Sequence, residues 1–207
     1  MDVIEIPTPH GPARAHVQPV PEGRGALILG HGAGGGITAP DLQAAAEVAV
    51  DGGLAAALIE QPYRVAGRRA PAPAAQLDVA FRAVVEHLVT RELPGLPLIL
   101  GGRSLGARVA CRSADALGAA AVLCLAFPLL PPRRSQSTRV PQSRLPELEA
   151  VLAPTLVIQG RRDPFGMPPA GPRREVIEVD ADHSLRRDLP ELRAALARWI
   201  GALPTLG

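Results

Sequence analysis

Lysine is missing from this 207-residue chain: all 22 basic residues are arginine, set against 20 acidic ones for a formal net charge of +2. So slight an excess excludes the electrostatic footprint of a nucleic-acid-binding protein. A wholesale absence of lysine reflects codon usage, so no single arginine can be read as chosen for its geometry. Cysteine is limited to Cys111 and Cys124, both among apolar neighbours. Two such residues give neither a disulfide framework nor a metal site and are expected to be inert core. A secretory leader is not apparent either, because the first ten residues carry two acids and two prolines and no apolar run; the expected location is the cytoplasm. Long hydrophobic runs are also lacking. The uncharged stretch 117–132 falls short of a bilayer span and is interrupted by Gly118 and Pro128, so no membrane helix is expected. What is present, 47% hydrophobic and 20% charged residues, fits an ordinary globular protein, and the length fits a single domain over 1–207.

Short apolar runs of β type alternate with longer stretches of helical spacing, the pattern of βαβ units around a mostly parallel sheet, and the class is therefore α/β. Segments 3–6 and 13–20 flank His10-Gly11-Pro12 and predict an antiparallel hairpin at the sheet edge. Further strands are expected over 26–29, 54–59, 97–100, 119–127, 155–159 and 175–179. Leu42, Ala45, Ala49 and Val50 share one helical face after Pro40; Leu77, Phe81, Val84, Val85 and Leu88 share another. A third helix follows residue 104 to about Leu117. The last opens at Asp188 with a D-x-x-E capping pattern to Glu191, presents Leu189, Leu192, Leu196, Trp199 and Ile200 to the core, and stops before Gly201. Segment 128–144, rich in Pro, Arg and Ser, is a long irregular loop of the kind that forms lids or binding loops.

Gly102-Arg103-Ser104-Leu105-Gly106 matches G-x-S-x-G, preceded by an apolar strand and followed by a helix, which is the context a nucleophile elbow requires. Its glycines suit a strained turn in which a side chain would collide with neighbouring elements. A serine hydroxyl is a weak nucleophile at neutral pH and needs a base within reach and a carboxylate to orient that base. Asp163 and His183 both lie just beyond predicted strands, and the order Ser104, Asp163, His183 is the one this motif predicts. Asp180 and Asp182 are weaker acid candidates, since they lie too near His183 in the chain to approach its far ring nitrogen easily. An oxyanion needs backbone donors: Leu105 supplies one amide at the start of the elbow helix, and Ala33, in the glycine-rich loop His31-Gly32-Ala33-Gly34, is the expected second. Gly30, Gly32 and Gly35 also fit a dinucleotide fingerprint with Glu60 as ribose acid. Residues 37–40 intervene before the helix, however, and that reading leaves Ser104, Asp163 and His183 unexplained.

These segments, with Pro154-Thr155-Leu156-Val157-Ile158-Gln159-Gly160, Asp163-Pro164-Phe165-Gly166 and Asp182-His183-Ser184, resemble the α/β-hydrolase superfamily over nearly the whole chain. Within it the sequence is similar to a short, dienelactone-hydrolase-like branch that also holds hydrolase-like proteins of chromatin complexes. The resemblance implies Ser104 as nucleophile, Asp163 as acid and His183 as base. It departs from dienelactone hydrolases in carrying serine where those have cysteine, and Pro131-Pro132-Arg133 stands where the branch often has Pro-Pro-Gly.

The expected function is hydrolysis of a small acyl ester or thioester, with neither metal nor cofactor required. An idle hydrolase fold serving as a binding module, or acyl transfer to an acceptor other than water, are the alternatives. His31 and Tyr63, the only tyrosine, are expected to line the pocket, whereas His10, His16 and His87 are expected to be merely solvated. Eleven of the 22 arginines fall in loops at the expected active-site rim: Arg64, Arg68, Arg69, Arg133, Arg134, Arg139, Arg144, Arg161, Arg162, Arg186 and Arg187. Such a rim favours an anionic substrate.

Overall fold

A hairpin of β1 (Asp2–Ile6) and β2 (Ala13–Gln18) opens the chain, followed by β3 (Ala26–Gly30), β4 (Ala55–Glu60), β5 (Leu98–Arg103), β6 (Ala121–Leu125), β7 (Thr155–Gly160) and β8 (Arg174–Val179). The computed structural model describes residues 1–131 and 142–204; residues 132–141 of the expected 128–144 loop, including Arg133, Arg134 and Arg139, lie outside the described residues. The strands form one sheet in the order β1-β2-β4-β3-β5-β6-β7-β8. The β1–β2 and β2–β4 pairs are antiparallel and all others parallel, so the predicted edge hairpin and mostly parallel sheet are both present.

The central strands are buried on both faces, and the two-residue period of a strand divides their side chains between two cores. Leu27 and Leu29 of β3, with Ala56 and Leu58 of β4, meet α1 (Pro40–Asp51) and α6 (Leu189–Ala202) on one face. Ile28, Ala57 and Leu100 meet α3 (Ala74–Arg91) and α4 (Leu105–Ser113) on the other. The stripes expected on the long helices are the buried ones: Leu77, Phe81, Val84, Val85 and Leu88 on α3, and Leu192, Leu196, Trp199 and Ile200 on α6. Cys111 and Cys124 are free and buried where α4 packs on β6, their sulfurs 3.5 Å apart. Among the described residues no helix is long and apolar enough to cross a membrane.

Helix ends differ from expectation. Asp188 precedes α6 but makes no side-chain cap; its carboxylate instead accepts the Asp180 amide at 3.1 Å, tying the end of β8 to the helix start. Gly201 lies inside α6, which runs on to Ala202, just past Trp199 and Ile200, which the core holds. α4 ends at Ser113 rather than near Leu117, and the turn that follows closes on Gly118 with φ 62°. Three short elements, α2 (Pro62–Val65), α5 (Leu145–Glu149) and a 3-10 turn at Arg186–Asp188, complete the described fold; α2 was not expected from periodicity because four residues carry none.

β3 is paired with β4 on one side and β5 on the other, so the loops after β3 and β5 leave the sheet side by side at its carboxyl edge. This reversal of strand order opens a crevice there, and α/β sheets place ligands in such crevices. The approach is close. A Cβ on Gly106 would stand 2.1 Å from the Gly30 carbonyl oxygen, and one on Gly102 2.4 Å from the same atom. Gly106→Ala is therefore expected to lose about 3 kcal/mol or more of stability, since backbone of both β3 and α4 would have to move. Chemical denaturation checks this, and an unchanged midpoint would refute the close-packing account.

Candidate active site

Ser104 stands between β5 and α4 with φ 53° and ψ −106°, a backbone conformation rarely adopted by a residue with a side chain. Two hydrogen bonds hold it there: its amide donates to the Leu125 carbonyl at 2.9 Å, and its carbonyl accepts from the Arg108 amide at 3.3 Å. The strain is thus borne by the β5–β6 pairing and the first turn of α4, and it lifts the hydroxyl out of the sheet.

Asp163 follows β7 and His183 follows β8, so the adjacent strands bring the two residues together at the same edge. His183 Nδ1 lies 2.7 Å from Asp163 Oδ2. An ionised carboxylate only accepts, which makes Nδ1–H the donor and leaves the Nε2 lone pair for the Ser104 hydroxyl, 3.0 Å away. The Asp163 carboxylate is 1% exposed and fully engaged. Oδ1 accepts the Phe165 amide at 2.9 Å, and Oδ2 also accepts from Gln159 Nε2 at 2.8 Å. Gln159 lies within reach of the Phe127 and Gly166 carbonyls as well, at 3.1 and 2.9 Å, so it fixes the Asp163 loop against the residues just past β6. The Phe165 ring meets the His183 ring edge to face, centroids 4.5 Å apart. The rival acids are occupied elsewhere: Asp180 pairs with Arg162, and Asp182 accepts from the amide and hydroxyl of Ser184. Those bonds hold both carboxyls below the usual carboxylate range.

Ser104, His183 and Phe165 line an open cleft of about 700 Å³, together with Ala33, Leu105, Arg103, Arg108 and Arg144. Leu105 is the first residue of α4, where an amide has no intrahelical acceptor, and Ala33, in the loop after β3, lines the same cleft. Sequence patterning missed Arg103. Its Nε lies 2.9 Å from Asp41, a 1% exposed carboxylate in the first turn of α1, and its Nη2 donates to the His183 carbonyl at 2.9 Å. One guanidinium therefore braces the elbow, the α1 start and the His183 loop. Burial nonetheless pushes the Asp41 carboxyl up, against the pull of Arg103. The signal that could have found this pair is weak, since Arg103 occupies the variable position of the motif.

His31 and Tyr63 do not line this cleft. His31 is 2% exposed; its Nδ1 lies 2.8 Å from the Gly32 carbonyl and its Nε2 accepts the Gln61 amide at 3.2 Å. Tyr63 packs edge-on against it and donates its hydroxyl to the Ala33 carbonyl at 3.1 Å, facing a smaller cavity with His10. Both brace the glycine-rich loop from behind. Among the described residues the arginine rim is narrower than its count suggested. Arg144 and Arg186 reach the cleft, whereas Arg161 and Arg162 pair with Glu178 and Asp180. Arg103 and Arg108 come instead from the elbow and α4. The dinucleotide reading finds no support, because Glu60 is paired with His16 at 3.1 Å.

Burial lowers the His31 pKa from its usual 6.5. The unfolded chain then takes up a proton that the folded chain resists, so stability present above about pH 6.5 is lost as the pH falls below it. Urea midpoints at about pH 7.5 and pH 5.5 are expected to fall with acid in the parent and to fall less in His31→Gln, which can still accept the Gln61 amide. Equal slopes would refute the assignment.

A family profile described as an alpha/beta hydrolase domain matches residues 23–188. Among curated protein sequences, none matches significantly. Among solved structures, a lid-less α/β serine hydrolase from Xanthomonas campestris is 24% identical, with TM-score 0.73 over 98% of this chain and 96% of that one. A dienelactone hydrolase from Anabaena variabilis is 17% identical, with TM-score 0.76 over 98% and 97%. Est1E from Butyrivibrio proteoclasticus is 13% identical, with TM-score 0.75 over 97% and 98%. Like the first of these, the present chain has no helical lid over the cleft among its described residues.

Proposed function

The chain belongs to the α/β hydrolase family, and from that premise we propose that it is a serine-dependent hydrolase of carboxylic esters or thioesters acting through an acyl-enzyme. The observation that carries this reading is the relay from Asp163 through His183 to Ser104, at 2.7 and 3.0 Å, on the wall of an open cleft. The hydroxyl proton passes to His183 Nε2 as Ser104 Oγ bonds to the substrate carbonyl carbon. The carbonyl oxygen becomes an oxyanion, met by the amides of Leu105 and Ala33. Collapse of this intermediate breaks the bond to the leaving group, which takes the proton from His183. Water then attacks the acyl-enzyme, giving its proton to His183, which returns it to Ser104 as the acid departs. Asp163 stays ionised throughout and holds the imidazole in the tautomer these steps need. Arg103, through its bond to the His183 carbonyl, is a positioning residue in this scheme.

A fluorophosphonate probe, followed by peptide mapping, and a panel of p-nitrophenyl esters test the proposal together. Labelling confined to Ser104 with turnover of at least one ester is the expected result. Absence of both labelling and turnover in folded protein would overturn it.

A further inference from the structure

The cleft carries more positive charge than its own acids offset. Arg103, Arg108, Arg144 and Arg186 line it, against the single acid Asp41, which Arg103 occupies. Arg108 is held by Glu147 of α5 through bonds of 2.8 and 2.6 Å. Arg112, one turn further along α4, reaches the same carboxylate at 3.2 Å while also pairing with Asp78. Glu147 thus already serves two guanidiniums before Arg144 is considered.

Arg144 immediately precedes α5 and is half-buried. Its Nη1 donates to the Pro128 carbonyl at 3.1 Å, and it has no carboxylate partner among the described residues. Residues 132–141 contain no acid that could serve. Burial, reinforced by the nearby charge of Arg108 and, more weakly, of Arg112, pushes its guanidinium down from its ordinary value against the pull of Glu147. A partly desolvated cation whose remaining donors meet no carboxylate among the described residues is a receptor for an oxyanion entering from the cleft. Position supports this. Arg144, Arg108 and Ser104 line one cleft of about 700 Å³, so an oxyanion at Arg144 and a carbonyl at Ser104 can belong to one molecule.

We propose that Arg144 is an anion-binding residue of the cleft, and that the preferred ester carries a carboxylate or phosphate group on the arm reaching from Ser104 toward the start of α5. This rests on the ester-hydrolase reading, but its test can fail separately. The mono-p-nitrophenyl ester of glutaric acid is compared with the uncharged p-nitrophenyl valerate at low ionic strength. The anionic ester is expected to show a kcat/KM at least about tenfold higher, expressed mainly in KM and shrinking as salt is added. Arg144→Gln is expected to collapse this preference toward one. Arg144→Lys, which keeps the charge but not the fork, is expected to retain part of it. Arg161→Gln, the same charge change outside the cleft, keeps it. Equal rates for the two esters, or a preference that survives Arg144→Gln, would overturn the proposal.

Calorimetric titration with glutarate, and separately with inorganic phosphate, reads the site without turnover and shows which oxyanion it takes. Binding that Arg144→Gln abolishes supports the site even if no ester is cleaved. Binding equal in parent and variant overturns it, as does turnover without preference, which would leave the hydrolase reading standing.

Discussion

Ser104→Ala is expected to lower ester turnover by more than about 10⁴-fold while leaving the fold intact. The first part follows from the role of the hydroxyl: without it no acyl-enzyme forms, and what persists is the modest catalysis of an oxyanion pocket acting on water. The second follows from position. The Ser104 side chain faces the cleft rather than the core, and the bonds that hold the elbow are made by its backbone, to Leu125 and Arg108. Alanine retains a Cβ, so it meets the same backbone strain as serine and adds no new clash. Turnover by purified variant and parent, with thermal unfolding as control, checks both parts. Activity within about tenfold of the parent would remove Ser104 from the mechanism. An inactive variant with a melting temperature many degrees lower would show instead that the serine is needed for the fold.

Asp163→Asn is expected to cost about 10⁴-fold in kcat, with little change in KM. The reason lies in hydrogen-bond bookkeeping at one buried oxygen. Asp163 Oδ2 accepts from both His183 Nδ1 and Gln159 Nε2. An asparagine amide nitrogen placed there would face two donors. To avoid that, either the amide turns its oxygen toward Gln159 and His183 while its nitrogen meets the Phe165 amide, or His183 takes the other tautomer. The second arrangement puts a proton on Nε2, where the Ser104 hydroxyl needs an acceptor. Asp180→Asn and Asp182→Asn serve as controls, since Asp180 pairs with Arg162 and Asp182 with Ser184, and each is expected to stay within about tenfold of the parent. A large loss in either control, with Asp163→Asn nearly active, would move the acid to the other side of the His183 loop.

Much of the architecture was legible because it rests on local pattern. The alternating runs around 26–29 and 97–100 had to be strands buried on both faces, and the i, i+3, i+4 spacing of Leu77 through Leu88 had to be a helix. The elbow could be read because G-x-S-x-G reports a steric requirement that any fold must meet at that turn: the two glycines sit against the Gly30 carbonyl. Helix ends were less legible, as at Asp188, where the residue suited to cap α6 bonds to a strand end instead. The Asp188 carboxylate accepts from the donor that the fold places within reach, and that donor is the Asp180 amide just past the end of β8.

The site itself divides in the same way. By itself, the sequence determined the α/β class, the parallel sheet with its edge hairpin, and the chain order of a serine, an aspartate and a histidine at strand ends, because each depends on residue type and spacing along the chain. Only the tertiary structure decided which side chains those ends bring within bonding distance. It turned His31 and Tyr63 from the cleft to the back of the loop. It placed Gln159 on Asp163, and it tied Arg103 to Asp41 and His183. Of the described arginines expected on the rim, it brought Arg144 and Arg186 to the cleft. Each of these outcomes depends on which charges and carbonyls are neighbours across the sheet, a property of strand order and register, and strand order is set by how whole layers pack rather than by any segment read alone.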